Sequence, residues 1–184
     1  MTDAPPIFTI GHSTRSIEEF VELLRAGPAE LVVDVRTVPR SRRNPQYNED
    51  ALPDELAPFQ IGYVRIPGLG GLRGRSNDVP PEVNGHWENQ SFHNYADYAL
   101  SGEFAEALGQ LLEFSAGRRV AIMCAEAVWW RCHRRIIADY LIERGRDVRH
   151  LMDSNRVEQA RLTPGAEAVG DTLHYPANQG DLGL

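Results

Sequence analysis

The sequence predicts an α/β fold: a three-layer sandwich with a mostly parallel central sheet, rhodanese-like or flavodoxin-like in general layout. Two observations carry this expectation. A strand, a helix and a second strand follow one another within 35 residues, which is how a parallel sheet with right-handed crossovers begins. The run Val120-Ala121-Ile122-Met123-Cys124 is continuously apolar, as a fully buried strand must be.

Taken in order, Ile7-Phe8-Thr9-Ile10 reads as the first strand, and Gly11-His12-Ser13-Thr14 turns out of it. A helix follows over about 16 to 26, because Ser16 and Glu19 make a capping box and Ile17, Phe20, Val21 and Leu24 form one apolar stripe. Residues 30 to 35 are a second buried strand, 36 to 47 a polar loop, 50 to 58 a weak helix and 62 to 66 a third strand. From Pro67 to about Gln90, glycines, prolines and Asn/Asp residues mark a long irregular excursion, a length usually tied to function or disorder. Helical pattern returns over 93 to 116, broken near Ser101-Gly102, and again over 132 to 144 after the central strand. Asp147 to Leu151 is a further strand, and a short helix is expected near 156 to 161.

The 184 residues make a single domain, with a core over about 7 to 151 and a polar C-terminal extension over 152 to 184. No apolar run approaches a membrane span, and the first six residues have neither the basic nor the apolar part of a secretory signal, so a cytoplasmic protein is expected. Cys124 and Cys132 do not match a zinc-finger spacing and are expected as reduced thiols. No metal or cofactor is expected. The formal charge of -7 argues against a surface coated for nonspecific nucleic-acid binding, yet leaves room for a local basic cleft. All 19 basic residues are arginine. The absence of lysine excludes Schiff-base chemistry, a lysine base and a Walker-type phosphate loop.

Open parallel sheets place their sites beyond the carboxyl ends of the strands. Here those ends deliver His12, Ser13 and Thr14, then Asp34 and Arg36, then Arg65, then Cys124 and Glu126. Cys124 is either a buried structural thiol, the simpler reading, or a nucleophile held by Arg131 or Arg134. Glu126 either braces an arginine such as Arg134 or works as a general acid or base, since burying it unpaired is costly. His133 is a base, an anion contact or a capped core histidine. Asp34 either holds the His12-Ser13-Thr14 turn or positions water. Arg36, Arg40, Ser41, Arg42, Arg65 and Arg73 either form a phosphate-binding cleft or sit on solvated loops. Trp87, Phe92, His93, Tyr95 and Tyr98 either stack a base or sugar or cap a core. His12, Ser13 and Asp34 suggest a hydrolytic triad, but the nucleophile elbow is missing.

Gly11-His12-Ser13, Asp34-Val35-Arg36, Pro39-Arg40-Ser41-Arg42, Leu69-Gly70-Gly71, Tyr95-Ala96-Asp97-Tyr98, Cys124-Ala125-Glu126 and Cys132-His133-Arg134 together resemble the DUF488 family of small α/β proteins. Phe92-His93-Asn94 departs from the family pattern, in which Arg and Gly commonly follow the Phe. The resemblance supports the sheet and the site at its edge, and implies a link to nucleic-acid modification or repair. The resulting expectation is a hydrolase acting on a phosphate-bearing nucleotide or a modified base in nucleic acid. In it, Glu126 and Asp34 are the carboxylates, His133 and Cys124 further catalytic candidates, and the arginines hold phosphate. The alternatives are a non-catalytic nucleotide or nucleic-acid binding module and a cysteine-dependent sulfur-transfer or phosphatase-like enzyme.

Overall fold

Each inner strand of the central sheet alternates its side chains between two faces, and both faces are apolar. The computed structural model describes residues 3–153 and 156–177. In chain order these form β1 (Ile7–Gly11), α1 (Ile17–Ala26), β2 (Leu31–Asp34), α2 (Leu52–Leu56), β3 (Gly62–Arg65), α3 (Gln90–Tyr98) and α4 (Gly102–Phe114). They continue with β4 (Val120–Cys124), α5 (Arg134–Glu143), β5 (Val148–Asp153), β6 (Arg156–Gln159), β7 (Glu167–Val169) and β8 (Thr172–His174).

The six-stranded sheet has the order β3-β2-β4-β1-β5-β6, parallel throughout except for β6. In β1, Ile7 joins a core formed with α3, α4 and α5, whereas Phe8 and Ile10 join a second core with α1 and α2. In β4, Val120, Ile122 and Cys124 belong to the first core, and Ala121 and Met123 to the second. Helices therefore cover both faces, which is why β4 reads as an unbroken apolar run rather than an alternating one. The capping box of α1 is present, with Ser16 accepting from the Glu19 N–H and Glu19 accepting from the Ser16 N–H. Residues 67 to 89 are irregular, with two short 3-10 turns.

The C-terminal region departs from expectation. Residues 156 to 159 are not helical but form β6, which pairs antiparallel with β5 at Arg149↔Gln159 and His150↔Glu158. The free backbone groups along the edge of β5 outweigh a weak local helical pattern. Beyond it, β7 and β8 make a separate hairpin. Buried Asp139 on α5 ties this segment down, accepting from the Thr163 N–H at 2.9 Å and the Tyr175 hydroxyl at 2.9 Å. The remainder of the C-terminal extension, 178–184, lies outside the described residues.

Candidate functional site

The chain stays zipped together past the strand ends. The His12 N–H donates to the Cys124 carbonyl at 2.9 Å, the Ser13 N–H to Ala125 at 3.0 Å and the Val35 N–H to Met123 at 3.0 Å. Gly11 makes the crossing possible, because a Cβ there would stand 1.8 Å from the Glu126 carbonyl oxygen. Ser13 next to it has φ 49°, in the left-handed region that non-glycine residues seldom occupy.

On the β2 side the polar groups satisfy one another. Asp34, fully buried, takes the Arg36 Nε–H at 2.9 Å and Nη2–H at 2.7 Å, together with the Tyr63 hydroxyl at 2.5 Å. Arg36 also donates to the Tyr47 carbonyl at 2.7 Å and lies 3.3 Å from His12 Nε2. The His12 ring stacks on Tyr47 at 4.2 Å, and its Nδ1 lies 2.8 Å from the Ser13 carbonyl. Burial, helped by the Arg36 charge, lowers His12 from 6.5 to about 4, so the ring is neutral at physiological pH. Asp34 thus braces Arg36 and Tyr63 rather than the His12-Ser13-Thr14 turn.

On the β4 side the thiols meet. Cys124 and Cys132 are both free and buried, with their sulfurs 2.7 Å apart. Arg134, at 1% exposure, donates Nε–H to Cys124 Sγ at 3.0 Å, Nη1–H to Thr9 Oγ1 at 3.1 Å and Nη2–H to the Glu126 carbonyl at 2.6 Å. Arginine and the 124–126 loop are therefore joined through backbone, not through the Glu126 carboxylate. His133 Nε2 lies 2.7 Å from the Val35 carbonyl, so it carries the proton, and Nδ1 faces Cys132 Sγ at 3.4 Å. Gly71 closes over this ring: a Cβ there would stand 2.5 Å from His133 Nδ1. Burial pushes both thiols up. For Cys124 it dominates, whereas for Cys132 the contact with Cys124, the neighbouring His133 ring and the Arg134 charge outweigh it and hold the thiol well below its usual 9.0.

A cleft of about 320 Å³ opens at this edge between the β2 and β4 loops. Its lining brings together Arg36, Cys124, Glu126, Arg131, Cys132 and His133, closed by Gly71, Leu72, Ser91 and Phe92. Glu126 and Arg131 are exposed, and neither side chain has a hydrogen bond or ion pair among the described residues. The cleft thus carries one free carboxylate and one free guanidinium.

The other expected site residues lie apart from the cleft. Tyr95 and Tyr98 hold the long loop, their hydroxyls donating to the Leu69 carbonyl at 2.9 Å and the Gly68 carbonyl at 2.6 Å. Arg73 stacks over Tyr98 at 3.7 Å and donates to the Gly70 carbonyl at 3.0 Å. Arg65 donates to the Thr37 carbonyl at 2.7 Å and pairs with Glu49 at 3.5 Å. Ser41 takes the Asn44 N–H at 3.0 Å within its own loop. Arg40, Arg42 and Thr14 are exposed. Cys132 and Ser91 were not singled out as site residues by the sequence; the first had a signal, a cysteine placed just before a helix N-terminus and a histidine. Among the described residues, no group of three His, Cys, Asp or Glu side chains is placed to hold a metal ion, and no helix is long and apolar enough to cross a membrane.

Fold and site define a class: an α/β protein with a mixed, mostly parallel sheet and a cleft at the carboxyl edge of its central strands. The family model described as domain of unknown function DUF488 matches residues 16–141, and the chain belongs to that family. No curated protein and no solved structure matches the chain.

Proposed function

We propose that the protein is a cytoplasmic hydrolase acting on a phosphate-bearing nucleotide or on a modified base in nucleic acid, with Glu126 as the carboxylate that activates water. The observation that supports this most is the unpaired, exposed Glu126 carboxylate in a cleft shared with the unpaired Arg131. A carboxylate at such a position takes a proton from water as the water attacks, and a free guanidinium in the same cleft binds phosphate oxygens bidentately. Phe92 and Leu72 offer apolar surface for a base. Arg36 supplies shape and positive potential more than direct contacts, because Asp34, Tyr47 and His12 already engage its donors. We further propose a rhodanese-like or flavodoxin-like layout in the general sense of helices on both faces. Its strand order differs from the flavodoxin order 2-1-3-4-5.

A second reading, a cysteine-dependent sulfur-transfer or phosphatase-like enzyme, draws on the Cys132–His133 pair, in which the Val35 carbonyl orients the imidazole toward the thiol. The two readings separate on a panel of nucleoside phosphates, aryl phosphates, thiosulfate and oligonucleotides containing modified bases, with products identified by mass spectrometry. Release of phosphate or free base that survives alkylation of the thiols supports the hydrolase. Activity lost in a folded Cys132→Ala variant moves the chemistry to Cys132. Binding without turnover leaves a nucleotide-binding module, and neither binding nor turnover overturns the proposal.

A further inference from the structure

Arg134 is the most deeply buried cation in the fold, and no carboxylate pairs with it among the described residues. Its partners are a hydroxyl, a backbone carbonyl and a sulfur. A buried guanidinium needs a compensating negative charge, and the groups in contact that are able to carry one are the two thiols. The pair therefore favours losing a proton. Two features favour Cys132 as the attacking sulfur: the Arg134 backbone N–H points at its Sγ from 3.5 Å and His133 Nδ1 faces it at 3.4 Å, while the Cys124 sulfur, 2.7 Å away, is placed to resolve the product. Both cysteines, though buried, border the cleft, which is the route by which a small solute would reach them.

We propose that Cys124 and Cys132 form a redox-active dithiol, with Cys132 attacking a hydroperoxide and Cys124 resolving the product to a disulfide. In the first step Cys132 Sγ bonds to one peroxide oxygen, the O–O bond breaks, and the leaving hydroxide takes a solvent proton. In the second, Cys124 Sγ bonds to the Cys132 sulfur, the S–O bond breaks, and the departing hydroxide takes the Cys124 proton. The dithiol loses two electrons, and hydrogen peroxide is reduced to two waters. A disulfide needs its sulfurs at about 2.05 Å, so a short gap remains to close between Cys124 at the end of β4 and Cys132 in the turn before α5. Oxidation also removes the anion facing Arg134, whose Nη2 holds the Glu126 carbonyl, and so couples the redox state to the loop that carries Glu126. The dithiol chemistry does not depend on Glu126 being catalytic.

The test is peptide mass mapping of the native protein after treatment with hydrogen peroxide, with circular dichroism recorded alongside. The expected result is loss of both thiols with an intramolecular Cys124–Cys132 disulfide while the fold is retained. In Cys124→Ser, a cyclic 1,3-dione should label Cys132 as the trapped sulfenic acid, and Cys132→Ser should show no such label at Cys124. Two intact thiols in the folded protein, or oxidation that appears only once the fold is lost, would overturn the proposal. That result would leave the hydrolase reading standing.

Discussion

Arg134 and Cys124 meet as cation and sulfur, Nε to Sγ at 3.0 Å, in the interior between β4 and α5. The same guanidinium reaches Thr9 on β1 and the Glu126 carbonyl, so one side chain ties three elements together at the edge of the cleft.

Replacing Arg134 with Met keeps the volume and removes every one of these bonds. The Glu126 carbonyl then loses a charged donor, and Thr9 keeps only His150 at 2.7 Å. Hydrogen bonds from charged groups contribute about 1.5–3 kcal/mol each, so the expected loss is about 3 kcal/mol by urea unfolding. A loss below about 1 kcal/mol would mean that packing, not the guanidinium, holds the loop.

Asp34→Asn leaves Arg36 buried without its counter-ion, and Tyr63 without a charged acceptor. Breaking one side of a buried pair costs about 3–5 kcal/mol, whereas replacing both partners with apolar residues costs far less. The expectation is severe destabilisation for Asp34→Asn and partial recovery in Asp34→Leu/Arg36→Met, read as urea midpoints. Equal stability of the two variants would argue against an ionic brace.

Stability should fall on acidification before the carboxylates titrate. His12 and His150 are both lowered from 6.5 to about 4, chiefly by burial, with Arg36 beside the first and Arg134 beside the second. Below pH 6.5 the unfolded chain binds protons that the fold excludes, so stability is lost between pH 6.5 and 4. Each histidine contributes on the order of 3 kcal/mol over that window. Asp139, raised above 3.8 by burial, works in the opposite sense at the acid end. Unfolding free energies at pH 7, 5.5 and 4.5 should decrease in that order, and His150→Gln should flatten the slope; a flat wild-type profile would mean that both rings are protonated in the fold.

Gly71→Ala sets a methyl group 2.5 Å from His133 Nδ1, and the ring must move off the Val35 carbonyl. Overpacking of this kind costs about 1–3 kcal/mol. Cys132 should then react more slowly with iodoacetamide, because the imidazole no longer faces its sulfur. Unchanged alkylation would show that His133 does not set the reactivity of Cys132.

Much of the fold is legible in the sequence because its strongest elements carry local signals. The apolar run of β4 and the Ser16–Glu19 capping box both appear where their residues predict. The rule that sites lie beyond strand ends brought Asp34, Cys124 and Glu126 to one edge. The division of labour among them is not legible: Asp34 is taken up by Arg36 and by the Tyr63 hydroxyl 29 positions away, while Glu126 stays free. Backbone acceptors such as Val35 and the Glu126 carbonyl leave no trace in residue identity, which is why the orientation of His133 and the anchoring of Arg134 could not be read. β6 was missed for the same kind of reason, since its state is set by the open edge of β5.

The proposed role of Glu126 is to activate water in the cleft. It is tested most directly by comparing wild type and Glu126→Gln on the panel substrate that wild type turns over, with binding measured by calorimetry and folding by thermal melting. Loss of a general base predicts a fall in kcat of about 10²–10⁴-fold, with the dissociation constant and the melting temperature little changed. Turnover within a few-fold of wild type would contradict the claim and remove Glu126 from the chemistry.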